Sequence, residues 1–125
     1  MKIMFEKFFP DEYLGSTYKI PFEKLYEQGY RGVIFDIDNT LVPHGAPADE
    51  RAKRLFQRLR EIGFESCLLP NNQKKRVEMF NQEIQTHYIY NALKPAKKNY
   101  LHAMEIMGTD QANTLFVGDQ LFTDV

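Results

Sequence analysis

The chain has 125 residues, of which 43% are hydrophobic and 26% charged, and its formal net charge is −1 at pH 7. This length and composition favour one globular domain, 1–125, and the near-neutral charge argues against a nucleic-acid-binding protein, which would carry a strongly basic face. No apolar run approaches the length that spans a bilayer.

The N-terminal segment and the single cysteine bear on the cellular compartment. Residues 1–9 contain Glu6 and lack an apolar stretch followed by a small-residue cleavage site, so we expect no signal peptide. Cys67 is the only cysteine, which excludes an intrachain disulfide, and its neighbours Phe64 and Leu68 predict a buried thiol. These features predict a cytoplasmic protein.

Short apolar runs alternate with amphipathic helical patterns along the chain, after an N-terminal extension at 1–30. The pattern predicts four strands, at 33–35, 64–69, 88–90 and 114–117. It predicts three helices between them: one through Ala52, Leu55, Phe56, Leu59 and Ile62, one through Val77, Phe80 and Ile84, and one through Leu101, Met104 and Met107. The first helix ends at Gly63 and the third at Gly108, and the second has Asn71 or Asn72 as its N-cap. This alternation predicts a Rossmann-like, three-layer α/β fold with a parallel sheet and right-handed crossovers.

Polar residues follow the predicted strands at the points where they end. Asp36 follows the first strand, Asn71 the second, Lys94 the third and Asp119 the fourth. Ligands of parallel α/β sheets bind at the carboxyl ends of the strands. We therefore expect these residues to converge at one edge of the sheet.

The pair Asp36 and Asp38 is the main chemical signal. A carboxylate at a strand end can attack phosphorus, and a second carboxylate two residues on can protonate the leaving group and later deprotonate water. Because two carboxylates repel a phosphate, a cation is needed, and Mg²⁺ prefers oxygen ligands. Asp119 could supply a further carboxylate and Lys94 a positive charge. An isolated Asp-x-Asp could equally be a turn or a helix cap.

Four ordered motifs resemble those of the haloacid dehalogenase superfamily. They are Val33-Ile34-Phe35-Asp36-Ile37-Asp38-Asn39-Thr40-Leu41, Leu68-Leu69-Pro70-Asn71, Lys94-Pro95, and Gly118-Asp119 with Asp124. The Asp38-Asn39-Thr40-Leu41 spelling, the pairs Asn71-Asn72 and Lys94-Pro95, and the upstream stretch from Phe9-Pro10-Asp11 to Ile20 are similar to the YqeG branch of that superfamily.

The resemblance implies a role for each matching residue. Asp36 would be the nucleophile and a metal ligand, and Asp38 would be the acid/base and offer its backbone carbonyl to Mg²⁺. Asp119 would be the second carboxylate ligand, and Asp124 would contribute from farther out or through water. Lys94 would pair with Asp36 and the phosphate, although most lysines are solvated surface residues.

The substrate-binding residues are predicted with less support from the motifs. Thr40 would orient the loop around the acid/base, or would only make a local turn hydrogen bond. Pro70 stands where the second motif normally has Ser or Thr, so the hydroxyl that would bind the phosphoryl group is missing. The backbone N–H groups of Asn71 and Asn72 could bind phosphate instead. We expect a slower enzyme rather than an inactive one.

Spacing predicts a domain without a cap. The stretches from Asp36 to Asn71 and from Asn71 to Lys94 each accommodate little more than one helix and one strand. The family continues with a helix and a strand beyond the fourth motif, so the chain looks truncated at its C-terminus. We expect this to leave the edge of the last strand open to self-association.

The function that the motifs imply is a magnesium-dependent phosphatase that forms an aspartyl-phosphate. An open site suits a phosphate carried on a lipid or macromolecule, and related families resemble phosphatidylglycerophosphate phosphatases. Phe5, Phe8 and Phe9 with nearby lysines could touch a membrane peripherally, although core packing is the more usual role of aromatic residues. A catalytically weak binding or scaffold protein is the alternative. A phospho-acceptor receiver domain fits less well, because its acceptor Asp lies on a later strand.

Overall fold

The computed structural model describes residues 2–4, 17–38, 40–69, 74–89 and 96–118. Within these ranges nine elements follow each other: strand β1 (Lys2–Met4), helix α1 (Phe22–Glu27), strand β2 (Gly32–Phe35), helix α2 (Glu50–Ile62), strand β3 (Glu65–Leu68), helix α3 (Lys74–Ile84), strand β4 (His87–Tyr88), helix α4 (Ala96–Met107) and strand β5 (Thr114–Val117). None of the helices in these ranges has the length and apolar character needed to cross a membrane.

The five strands form one parallel sheet in the order β1-β5-β2-β3-β4. The central strand β2 pairs on one side with β3 and on the other with β5, so that Phe35 lies opposite both Leu68 and Val117. Because the strands are parallel and in this register, their carboxyl ends meet at one edge of the sheet. The predicted parallel α/β fold is confirmed.

The hydrophobic side chains form one core layer on each face of the sheet. Val33 and Phe35 of β2 pack with α1, α2 and α3 on one face, whereas Ile34 between them packs with α4 on the other. Successive residues of a strand point to opposite faces, so a strand covered by helices on both sides is apolar throughout. This arrangement gives the three layers that the alternating pattern predicts.

Helix α2 shows how local sequence sets the bounds of an element. Asp49 precedes the helix in an extended conformation, and its side chain accepts a hydrogen bond from the Ala52 N–H at 2.8 Å. The helix ends at Gly63, whose φ of 119° is accessible mainly to glycine. The predicted stop at Gly63 is confirmed.

Two predicted elements differ from the structure in their details. The third predicted strand, at 88–90, is observed one residue earlier as His87–Tyr88. On α4 the predicted apolar face was offset, because Leu101 is exposed while Tyr100 is buried beside Met104 and Met107. Residues at i, i+4 and i+7 share one face of a helix more closely than residues at i, i+3 and i+6.

The expectation of an open edge along the last strand is wrong. Strand β5 lies between β2 and β1, with Lys2–Met4 paired in parallel to Leu115–Val117. The N-terminal strand β1 therefore occupies the edge of β5 that the sequence predicts to be unpaired. The aromatic residues Phe5, Phe8 and Phe9, which could touch a membrane, lie outside the described residues.

Candidate active site

Asp36 lies at the carboxyl end of the central strand and is almost completely buried, with 5% of its surface exposed. Its backbone N–H donates to the Val117 carbonyl at 3.1 Å, which ties it to the end of β5. An ionised carboxylate in such a buried position requires compensating partners. The described contacts therefore place the predicted nucleophile where β2 and β5 end together.

Gly118 permits a close approach to Asp36. A Cβ atom at this position would lie 2.8 Å from Asp36 Oδ2 and 2.8 Å from Cε2 of the Phe116 ring. Any side chain would therefore displace the carboxylate or the ring. Gly118 of the fourth motif therefore packs against Asp36 of the first motif.

The turn after β2 is built on one carbonyl group. The Ile37 carbonyl accepts from the N–H groups of Thr40, Leu41 and Val42 at 3.0–3.4 Å. Thr40 is 1% exposed, and in the part of the chain that the structure describes its hydroxyl has no hydrogen-bond partner. The alternative in which this hydroxyl makes only a local turn hydrogen bond therefore does not describe the structure.

Asp38 forms an ion pair with Arg76 of helix α3. Its Oδ1 accepts from Arg76 Nη2 at 2.7 Å, from Arg76 Nε at 3.2 Å and from the Gly45 N–H at 2.8 Å. Arg76 belongs to the first turn of α3, and its side chain is 11% exposed. This ion pair joins the loop after β2 to the helix after β3.

The environment of Asp38 acts on its pKa in two directions. Partial burial of the carboxyl raises the pKa, but the hydrogen bonds from Arg76 and Gly45, with the charges of Arg76 and His44, outweigh burial and leave it below its ordinary value. The contacts with Arg76 and Gly45 therefore favour the ionised form of Asp38. An acid/base role requires a change in its partners before it can carry a proton.

The structure places only part of the predicted site. Asp36, Asp38 and Thr40 lie within five residues of each other at the end of β2, and their roles stay predictions. The other predicted site residues, Lys94, Asn71, Asn72, Asp119 and Asp124, together with Pro70, lie outside the described residues.

Sequence reasoning missed Arg76 altogether. The residue belongs to the run Lys74-Lys75-Arg76 at the start of a helix, which reads as a solvated charged face. The only available signal in the sequence was its position four residues after Asn72, close to a motif already assigned to the site.

A magnesium ion is compatible with the described part of the site. Asp36 and Asp38 supply only oxygen donors, and Gly118 leaves room for the Asp36 carboxylate immediately before Asp119 in the sequence. No group of three His, Cys, Asp or Glu side chains that could hold a metal occurs within the described ranges, which exclude Asp119 and Asp124. The donor chemistry fits Mg²⁺, and the complete ligand set stays a prediction.

Fold and site together define a three-layer α/β protein with an acidic site at the carboxyl ends of its parallel strands. The chain aligns over 124 residues, at 37% identity, with a Bacillus subtilis (strain 168) protein called "Probable phosphatase YqeG"; the alignment covers 98% of this chain and 72% of the relative. No family model matches the chain, and no solved structure matches it significantly. The extent and identity of the alignment show that the chain belongs to the YqeG family.

Proposed function

We propose that the protein is a phosphatase that hydrolyses a phosphomonoester through a phosphorylated Asp36. The observation that carries the proposal is the buried Asp36 carboxylate at the end of β2, packed against Gly118 at the end of β5. Similarity to a protein named a probable phosphatase supports the same reaction class. Asp38, two residues on, is placed to act as the acid and base.

The reaction has two steps. In the first, an Asp36 carboxylate oxygen attacks phosphorus, the phosphorus–oxygen ester bond breaks, and the leaving oxygen takes a proton from Asp38. In the second, a water molecule attacks the same phosphorus while Asp38 removes its proton, and the bond to Asp36 breaks to release inorganic phosphate. The net reaction converts a phosphomonoester and water into an alcohol and phosphate.

We propose Mg²⁺ as the cofactor, held by Asp36, the Asp38 carbonyl and Asp119, with Asp124 contributing from farther out. The ion would neutralise charge between the carboxylates and the phosphoryl group. Lys94 would add a second positive charge near Asp36. Thr40, Asn71 and Asn72 would complete the substrate site.

The substrate proposed is a phosphate carried on a larger molecule, with a phospholipid headgroup such as phosphatidylglycerophosphate as the first candidate. The support is the resemblance of the motifs to families that act on such lipids and the short connections after Asp36, which leave little room for a cap. A screen of phosphorylated metabolites against phosphatidylglycerophosphate in mixed micelles separates free from lipid-borne phosphate. Faster hydrolysis of small metabolites than of the lipid would remove the lipid proposal and keep the phosphatase.

A catalytically weak binding protein is the second candidate. It is favoured by the Asp38–Arg76 ion pair, which disfavours the protonated form of the proposed acid, and by Pro70, which lacks the hydroxyl of the second motif. Turnover decides between the two candidates.

The test is release of inorganic phosphate with and without Mg²⁺ by the wild type and by Asp36→Asn. The amide is close to the carboxylate in shape but is a poor nucleophile, so we expect a loss of about three orders of magnitude or more in turnover with the fold intact. Circular dichroism and thermal unfolding check the fold. Turnover at the full wild-type rate both in Asp36→Asn and after removal of Mg²⁺ would contradict the mechanism. Absence of any turnover by the wild type would favour the binding protein.

A further inference from the structure

We propose that Arg76 binds the phosphoryl group of the substrate, and that Asp38 holds this guanidinium in place until the substrate arrives. The inference rests on the proposed phosphatase function and names the residue that recognises its substrate. It starts from the Asp38–Arg76 contact and from the donors of Arg76 that this contact leaves unused.

The guanidinium group of Arg76 makes few hydrogen bonds for a largely buried charge. Nε and Nη2 both donate to a single oxygen, Oδ1 of Asp38, instead of one to each carboxylate oxygen. Nη1 is buried and has no hydrogen-bond partner within the residues that the structure describes. The carbon at the centre of the guanidinium lies 5.9 Å from the centroid of the Phe80 ring, which leaves that side apolar. A buried, charged donor without an acceptor is costly, and an arriving anion would remove that cost.

A phosphoryl group has the chemistry that these donors lack. Arginine presents its N–H groups as a planar fork that matches two oxygens of a phosphate, and such pairs are stronger than neutral hydrogen bonds. Arg76 is the third residue of α3, so it also lies in the first turn, where the helix has positive potential and favours an anion. A dianionic phosphoryl group therefore competes for Arg76 better than the single oxygen of Asp38.

The position of Arg76 relative to the proposed nucleophile fits this role. Asp38 follows Asp36 by two residues, which can span at most about 7 Å of chain. This separation is short enough for an arginine side chain bound to Asp38 to reach a phosphoryl group at Asp36. Pro70 removes the hydroxyl that the second motif would supply to that group, and Arg76 provides donors from the helix that follows it.

Binding of inorganic phosphate provides a test that does not depend on turnover. Dissociation constants are measured by calorimetry in magnesium buffer for the wild type, Arg76→Met, Arg76→Lys and the control Lys75→Met. Lys75 is exposed and adjacent on the same helix, so its replacement removes the same charge without the site contact. We expect Arg76→Met to weaken phosphate binding about tenfold or more, Arg76→Lys to weaken it less, and Lys75→Met to change it less than about threefold.

The kinetic measurement is made on the same variants with p-nitrophenyl phosphate. Loss of phosphate recognition predicts a raised KM and a parallel loss of product inhibition by phosphate in Arg76→Met. A purely structural ion pair predicts a lower melting temperature with unchanged KM and phosphate affinity in the molecules that remain folded. That second result would overturn the inference.

A double-mutant cycle with Asp38→Asn separates the two roles further. If Asp38 competes with phosphate for Arg76, Asp38→Asn frees the guanidinium and tightens phosphate binding. The gain in phosphate affinity should be smaller when Arg76→Met is also present, because no guanidinium is then bound to Asp38. Equal tightening in both backgrounds would show that only the carboxylate charge matters, and would contradict the inference. Should Arg76→Met not fold, Arg76→Lys takes its place in the cycle.

The outcomes distinguish this inference from the proposed function. A wild type that hydrolyses phosphomonoesters, with Arg76 variants that bind phosphate equally well, retains the phosphatase and overturns the role of Arg76. Arg76-dependent phosphate binding without turnover supports the role of Arg76 and contradicts the phosphatase. A wild type that neither binds phosphate nor turns over overturns both.

Discussion

The Asp36 carboxylate packs closely against a glycine, Gly118. An added methyl group at Gly118 would lie 2.8 Å from Asp36 Oδ2 and 2.8 Å from the Phe116 ring, closer than carbon atoms tolerate. Gly118→Ala should therefore shift the carboxylate or the ring, at a cost of about 1–3 kcal/mol in stability, and reduce kcat/KM. Chemical denaturation and steady-state kinetics measure the two effects.

Gly108→Ala is the matched control for that substitution. Gly108 has a φ of +74° and nothing within 4 Å of an added Cβ, so alanine strains the backbone by about 1–2 kcal/mol without touching the site. We expect both variants to lose stability and only Gly118→Ala to lose activity per folded molecule. Equal activity in the two variants would show that the Gly118 contact does not matter for function.

The Thr40 hydroxyl is a buried polar group in the loop that follows Asp36. Its oxygen is buried without a hydrogen-bond partner in the described part of the chain, which costs stability. Thr40→Val replaces the hydroxyl with a methyl group of similar shape, so stability should stay the same or rise by about 1 kcal/mol. If the hydroxyl acts when substrate is bound, kcat/KM should fall in the same variant. A loss of stability would mean that the hydroxyl has a structural partner.

Single residues of the site differ in how far the sequence reveals them. Asp36 could be predicted because it follows a buried β-branched and aromatic run, and parallel strands present their carboxyl ends to ligands. Arg76 could not, because a basic residue at a helix start is usually solvated. Only the fold shows that its side chain turns inward to Asp38.

At the scale of elements, local signals predicted the long helices and the strands β2, β3 and β5, and failed for the N-terminal strand β1. The apolar pattern of α2 lies within its own 13 residues, and its stop at Gly63 follows directly. Strand β1 has three residues, and its place is set by pairing with β5 at the opposite end of the sequence. No local period exists in so short a segment, so only the sheet reveals it.

The N-cap of α2 makes a prediction at this scale. Asp49 satisfies the Ala52 N–H, one of the donors that a helix start leaves without an internal partner. Asp49→Ala should lower the free energy of unfolding by about 0.5–2 kcal/mol, whereas Asp49→Ser should retain most of it. Thermal unfolding compares the three proteins. An alanine variant as stable as the wild type would mean that water replaces the cap at no cost.

At the scale of the whole molecule, the sheet separates two apolar layers and buries Cys67 in one of them. Cys67 lies on β3 with no exposed surface, among Ile34, Met104 and Phe116. The predicted buried thiol is confirmed. Burial raises the pKa of Cys67 to about 12 from an ordinary value of 9.0, because an apolar interior disfavours the thiolate.

This shift predicts that the free energy of unfolding falls at alkaline pH. Below pH 9 the thiol is neutral in both states and stability does not depend on its titration. Between pH 9 and about 12 only the unfolded chain releases the proton, so each pH unit favours unfolding by about 1 kcal/mol. The difference in unfolding free energy between the wild type and Cys67→Ala should therefore narrow as pH rises from 9 to 11, measured by urea titration.

Labelling by a thiol reagent at pH 8 gives a second measurement on the same residue. A thiol between the sheet and α4 can react only when the molecule opens, so labelling should be about a thousandfold or more slower in native buffer than in concentrated urea. The rate should rise with the same substitutions that lower global stability, such as Asp49→Ala. Rapid labelling in native buffer, unaffected by those substitutions, would mean that α4 leaves the sheet without global unfolding.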